Sequence, residues 1–193
     1  MRTVPRFLAP LTVLTLIGVS PSAGQGRPQT RDGFWIGFGL GYGEAGFSCT
    51  GCVDIDRESG FTSFIKLGGT LNEKVLLGAD ITGWTKEISG TTLTVGNLTG
   101  TVFFYPSPQS GLFVKGGAGF SVYTESNTEE VSGTGVGLTV GLGYDLRVGR
   151  NVSLTPLADF VWGSVGDLEF DGVTADAGLK QNVFHVGLGV TFH

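Results

Sequence analysis

The chain has 193 residues, with 12 Lys and Arg against 17 Asp and Glu and a formal net charge of −5. That length holds one domain, and the acid excess excludes a nucleic-acid partner, which needs a basic face. Glycine accounts for 34 residues, far above the usual ~7%, yet no G-X-Y register occurs; the glycines alternate with Phe, Leu and Val, as in a tightly curved, packed sheet.

The N-terminus carries Arg2 and Arg6, an apolar run over residues 7–19, and the small residues Ser22, Ala23 and Gly24. A basic start, a short apolar run and a small-x-small site describe a secretory signal peptide, expected over residues 1–24 with cleavage after Gly24. The run is too short for a membrane-spanning helix. Its removal takes two basic residues and no acids, so the exported chain is more acidic still. Residues 25–32 form a polar leader, and residues 33–193 are expected to form the folded domain.

From residue 33 to 44 the chain alternates: Phe34, Ile36, Phe38, Leu40 and Tyr42 on one face, Trp35, Gly37, Gly39 and Gly41 on the other. Period two predicts a strand. Residues 44–60 read as a loop, residues 61–71 as a second strand with Lys66 in its middle, and Asn72-Glu73 as a tight turn. The third strand, 74–84, sets Val75, Leu77, Ala79 and Ile81 against Asp80 and Thr82. A polar connection over 86–90 leads to a fourth strand, 91–105, ended by Pro106 and Pro108, which cannot donate to a ladder. The fifth strand, 112–124, sets Val114, Ala118, Phe120 and Val122 against Lys115, Gly117, Gly119 and Ser121.

After an acidic connection over 125–133, Val136, Leu138, Val140, Leu142 and Tyr144 alternate with Gly137, Thr139, Gly141, Gly143 and Asp145. A turn at 148–151 precedes the seventh strand, 152–163, where Leu157 and Val161 blur the pattern. The connection 164–178 is long and acidic. The last strand sets Phe184, Val186, Leu188, Val190 and Phe192 opposite His185, Gly187, Gly189 and Thr191. Five bulky apolar residues on one face of a strand need an apolar cover, and lipid supplies one.

Eight strands, with connections alternating long and short, predict an all-β, eight-stranded antiparallel up-and-down transmembrane β-barrel. Both chain ends then lie at the side of the short turns. Tyr42, Trp84, Tyr105, Tyr144 and Trp162 fall near strand ends, where an interfacial aromatic girdle belongs. The competing fold is a soluble, lipocalin-like barrel with its apolar face turned inward. The small, weakly charged opposite face suits a narrow lumen better than a water-facing exterior.

Two features carry a family resemblance. The spacing polar-x-Gly-x-x-apolar-x-aromatic, present as His185, Gly187, Val190 and Phe192, resembles the signal by which bacterial outer-membrane barrels are recognised by their assembly machinery. Here His193 follows Phe192, where the family usually ends on the aromatic residue. From leader to last strand, the pattern resembles the small OmpA/OmpX-type outer-membrane β-barrel domain family. The resemblance implies export to the bacterial outer membrane, contact with its lipids and lipopolysaccharide, recognition by the β-barrel assembly machinery, and a monomer.

Symmetric hairpins place three charged pairs in the lumen: Lys66 with Asp80, Lys115 with Asp145, and Asp159 with His185, with Asn97 beside Asp80. An eight-stranded barrel is only wide enough for side chains to fill, and a lone buried charge there costs several kcal/mol. Cys49 and Cys52 are expected to form a local disulfide, which export permits; they are too few for a metal site. No cofactor motif occurs: in residues 37–41 the glycines lead into a strand, with Tyr42 where a dinucleotide loop needs its third glycine. Catalysis is not expected, because Ser153 lies out of reach of Asp159 and His185 although all three share the lumenal face. The expected function is a structural or surface-interaction role with a plugged lumen. The alternatives are a narrow, porin-like channel for small solutes or ions, and the soluble lipocalin-like binder of an apolar ligand.

Overall fold

Alternating side chains make strands, but strands with polar backbone edges survive in lipid only if every edge is paired. A computed structural model, describing residues 31–49, 56–126, 130–170 and 173–193, shows how this chain meets that demand. Its elements are β1 (Phe34–Ser48), β2 (Glu58–Asn72), β3 (Val75–Ile88), β4 (Thr91–Phe104), β5 (Leu112–Ser126), β6 (Glu130–Tyr144), β7 (Leu146–Arg147), β8 (Val152–Phe170) and β9 (Val173–Phe192). Each long strand pairs antiparallel with the next, β6 pairs with β8, and β1 pairs with β9. The sheet therefore closes into a barrel of eight staves. The two-residue β7 continues the β6 stave past Asp145 and pairs with β8.

The bulky face points outward. Phe34, Leu40, Phe120, Val136, Phe184 and Leu188 are all exposed, Phe184 at 50% and Leu138 at 43%. The lipocalin-like alternative needs the reverse and is not favoured. On β9 the apolar outer face runs over residues 184–192, and on β8 over residues 152–162, close to the ~9 to 11 residues that cross a bilayer on a tilt. Leu157 and Val161, which blurred the seventh strand's pattern, are buried lumenal residues.

Two expectations need correction. Trp84 and Tyr105 do not join an interfacial girdle: they are 1% and 2% exposed, since their positions share parity with the lumenal Asp80 and Thr99. Trp84 donates to the Gly43 carbonyl at 3.2 Å, and the Tyr105 hydroxyl donates to Asp145 at 2.7 Å. Tyr42 is exposed, and Tyr144 and Trp162 are half-buried. Two of the connections at the far end are also shorter than expected. Strands β3 and β4 pair up to Ile88 and Thr91, leaving a two-residue turn, Ser89 and Gly90, both with positive φ (52° and 84°). Such a turn matches the twist of the flanking strands. Residues 164–178 likewise belong mostly to a β8–β9 hairpin paired out to Phe170 and Val173. Acidic residues and glycines interrupt the alternation over this stretch, so sequence patterning fades while the ladder continues.

At the end carrying both chain ends, the turns rest on side chains. The Asn72 carboxamide accepts from the backbone N–H groups of Lys74 and Val75 at 2.9 and 3.0 Å, an Asx turn in mechanism. The expected signal peptide, most of the leader, and Cys52 lie outside the described residues. Cys49 is not a free thiol.

Candidate functional site in the barrel lumen

Strand parity delivers side chains to the lumen in layers. Nearest the chain ends, Trp35, Leu76, Phe103, Tyr105 and Phe113 form one buried apolar cluster; toward the far end, Ala45, Trp84, Val95, Tyr123, Val161, Val165, Leu179 and Val183 form another. Between them lie buried Lys66, Asp80, Lys115, Asp159 and His185, with Thr62, Thr99 and Thr101. At the chain-end mouth, a second polar group collects around Asp145.

Lys115 is the hub of the central layer. Its ammonium stands 2.5 Å from Asp80 Oδ2 and 2.7 Å from Asp159 Oδ2, and Asp159 Oδ2 is also 3.2 Å from His185 Nε2. The row Lys115, Gly141, Asp159, His185 runs in register across β5, β6, β8 and β9. Gly141 makes this possible, because a Cβ there would collide with Asp159 Oδ1. His185 Nδ1 lies 3.5 Å from the Thr62 hydroxyl. Asp80 also accepts from Thr82 at 3.2 Å.

Of the three expected pairs, Asp159 and His185 face each other and are in contact. Lys66 and Asp80 face each other in register, but Asp80 takes Lys115 as its ion-pair partner. The Lys66 ammonium sits instead against aromatic faces, 4.7 Å from the Phe113 ring centroid and 5.7 Å from that of Phe103. Lys115 and Asp145 are not partners. The β5–β6 register puts Lys115 opposite Gly141, four positions along the strand from Asp145, because the hairpin apex lies nearer the chain's start than symmetry about Glu129 and Glu130 assumed. Asn97 is likewise not beside Asp80. It faces Thr82 and accepts from Ser121 at 2.6 Å, while Gln181 donates to Ser121 at 2.7 Å. That chain of amides and hydroxyl crosses the lumen from β9 to β4.

Asp145, whose expected partner lies elsewhere, organises the chain-end mouth together with Tyr105, Thr155 and Arg31. Asp145 accepts from Tyr105 and from the Thr155 hydroxyl, each at 2.7 Å, and Thr155 meets Thr191 at 2.8 Å. Arg31, the second-last residue of the expected leader, is buried. Its guanidinium donates to the carbonyls of Pro108 and Ser110 at 3.0 and 2.6 Å and lies 3.6 Å over the Tyr105 ring. Since β1 borders β2 and β9, Arg31 reaches the opposite wall. A lone Arg in a polar leader carries no sequence signal for this; only the closed topology brings it to Tyr105.

Ser153, His193 and Asp145 also converge, but not as a catalytic triad. Ser153 Oγ is 3.1 Å and Asp145 Oδ2 is 3.9 Å from the same ring nitrogen, His193 Nε2. A triad needs the carboxylate on one nitrogen and the nucleophile on the other. Burial also pushes the His193 imidazole down to about 4, leaving a weak base. Among the described residues, no group of three or more His, Cys, Asp or Glu is arranged to hold a metal ion.

Comparison with known proteins agrees with this architecture. Residues 9–192 match the family model for the outer membrane protein beta-barrel domain. A search of curated proteins found no match. Among solved structures, the chain is similar to Neisserial surface protein A, with a TM-score of 0.54 and 16% identity, covering 84% of this chain and 98% of that one. It is also similar to Ail, the attachment invasion locus protein of Yersinia pestis, in complex with the heparin analogue sucrose octasulfate: TM-score 0.54, 17% identity, covering 83% and 99%. At such identities the likeness speaks to the fold.

Proposed function

Starting from the chain's membership of the outer membrane protein β-barrel domain family, we propose that it is a closed membrane scaffold that presents rigid β-hairpins at the bacterial surface. It resides in the outer membrane, contacting lipid and lipopolysaccharide. The observation that carries the scaffold reading is the lumen: a charged layer centred on Lys115, enclosed between two apolar clusters. Buried, mutually neutralised charges flanked by packed rings leave little for a solute to follow. The strands extend well past the apolar band, β8 and β9 by far the longest at 19 and 20 residues, which supports display rather than conduction.

In this reading residues 1–24 are a cleaved signal, Cys49 and Cys52 form a disulfide bracing the first far-end hairpin, and the barrel is a monomer. His185, Gly187, Val190 and Phe192 act as the assembly signal, His185 being buried and Phe192 exposed in the folded barrel. The acidic balance of the chain disfavours a polysulfated ligand of the kind held by Ail and favours neutral or cationic surfaces. Planar-bilayer recording tests the proposal: reconstituted protein should give no steady conductance. Ohmic, single-level currents from the wild-type protein would replace the scaffold with the narrow-channel reading.

A further inference from the structure

At the far end, beyond the outer apolar cluster, the lumen opens into a hollow of about 360 Å³, within the ~300–1,000 Å³ range of small-molecule sites. Its wall includes Phe47, Ile88, Leu93 and Tyr123, with Glu58 and Glu125. The rings of Phe47 and Tyr123 meet edge to face at 5.7 Å. The two carboxylates differ in their circumstances. Glu58 is neutralised by Lys86 at 2.7 Å. Glu125 accepts a hydrogen bond from the Tyr123 hydroxyl at 3.1 Å, a neutral partner, and has no cationic partner among the described residues. Leu93 sits directly opposite Glu125 in the β4–β5 register, so an uncompensated negative charge borders an apolar surface.

We propose that this hollow binds a small organic cation, with an apolar or aromatic body seated on Leu93 and Ile88 and its charge held by Glu125 beside the rings of Phe47 and Tyr123. Apolar walls favour the body by releasing water. Aromatic faces attract cations, most strongly when desolvated. An anion of equal shape would meet Glu125 unfavourably. The site lies outside the charged lumenal layer, so it neither requires nor tests the closed-scaffold reading.

The experiment uses the full chain in phosphatidylcholine nanodiscs, titrated with benzyltrimethylammonium while the methyl resonances of Ile88 are followed by NMR. Saturable shifts are expected with half-saturation at about 1 mM or below, and benzylsulfonate should produce none. Leu93→Trp fills the hollow while keeping both carboxylates and should weaken binding at least about tenfold, or about 1.4 kcal/mol. Glu125→Gln, a solvent-accessible change that leaves the wall intact, should weaken it by about the same factor. Absence of saturation, equal binding of the sulfonate, or undiminished binding to both variants would overturn the proposal.

Discussion

The Lys115 side chain is fully buried and its ammonium meets two buried carboxylates, Asp80 and Asp159. Removing one partner from such a group leaves uncompensated charge in a low-dielectric interior, a loss of about 3–5 kcal/mol. Lys115→Met, which keeps the stem but deletes the charge, should therefore lower the unfolding free energy of the refolded barrel, from urea titration in lipid vesicles, by that amount. An unfolding free energy within about 1 kcal/mol of wild type would mean that the layer is held by packing rather than by ion pairing. His193 supplies a second test at the chain-end mouth. Burial depresses its folded-state pKa to about 4, below the unfolded value of about 6.5. The unfolded chain then binds the extra proton between those values, so stability is full above about pH 6.5 and falls as pH drops toward 4. His193→Gln should remove about 2–3 kcal/mol of that acid sensitivity, measured as the difference in unfolding free energy from urea titrations at pH 7 and pH 4.

At the scale of the element, the N-terminal approach to β1 and the far-end bend of β8 each depend on one residue. Arg31 fastens the chain across the mouth to Tyr105 and to two carbonyls of the β4–β5 connection. Arg31→Ala should release it, with a stability loss of about 1–3 kcal/mol and faster proteolysis of residues before Phe34. Unchanged proteolysis would show that the leader is held by something else. On β8 the register with β9 shifts on both sides of Gly166, whose φ is +76°. This bulge brings Leu168 against the outer apolar cluster. A side chain with branched Cβ is strained at that φ, so Gly166→Val should destabilise the projecting hairpin, seen as faster amide exchange in residues 164–168 with exchange in residues 152–160 unchanged. How far sequence carried these elements follows from the same geometry. Within the lipid band, period two reports parity correctly for almost every residue, down to Asp159 facing His185. Outside it, the β8–β9 ladder runs on through acidic residues and glycines such as Asp167, Glu169 and Gly178, which break the alternation and look like loop. Turn apices shift register by residues that parity cannot see, so symmetric hairpins pair Lys115 with Asp145 while its partners are Asp80 and Asp159.

For the molecule as a whole, closure is the property on which membrane residence depends, since an open sheet would leave a row of unpaired amides in lipid. The seam is β1 against β9, and it is lined with glycine: Gly39 faces Gly189 and Gly41 faces Gly187. A Cβ on Gly39 would come within 2.5 Å of Gly189 Cα, Leu188 O and the Phe64 ring at once. Two of those three contacts are backbone and cannot rotate away. Gly39→Val should therefore hold the first and last staves apart and prevent the barrel from closing. Gly69, also on a lipid-band strand, has no atom within 4 Å of an added Cβ, so Gly69→Val changes the same residue type without touching the seam. Closed barrels of this kind stay compact in dodecyl sulfate until boiled, because every ladder bond is paired around the ring. In unboiled gels, Gly69→Val should keep the fast-migrating form and Gly39→Val should lose it, running at the denatured position with or without heating. If both migrate as wild type, the β1–β9 seam tolerates a side chain and closure does not rest on these glycines; if both fail, glycine is needed for strand flexibility throughout and not for the close approach at the seam.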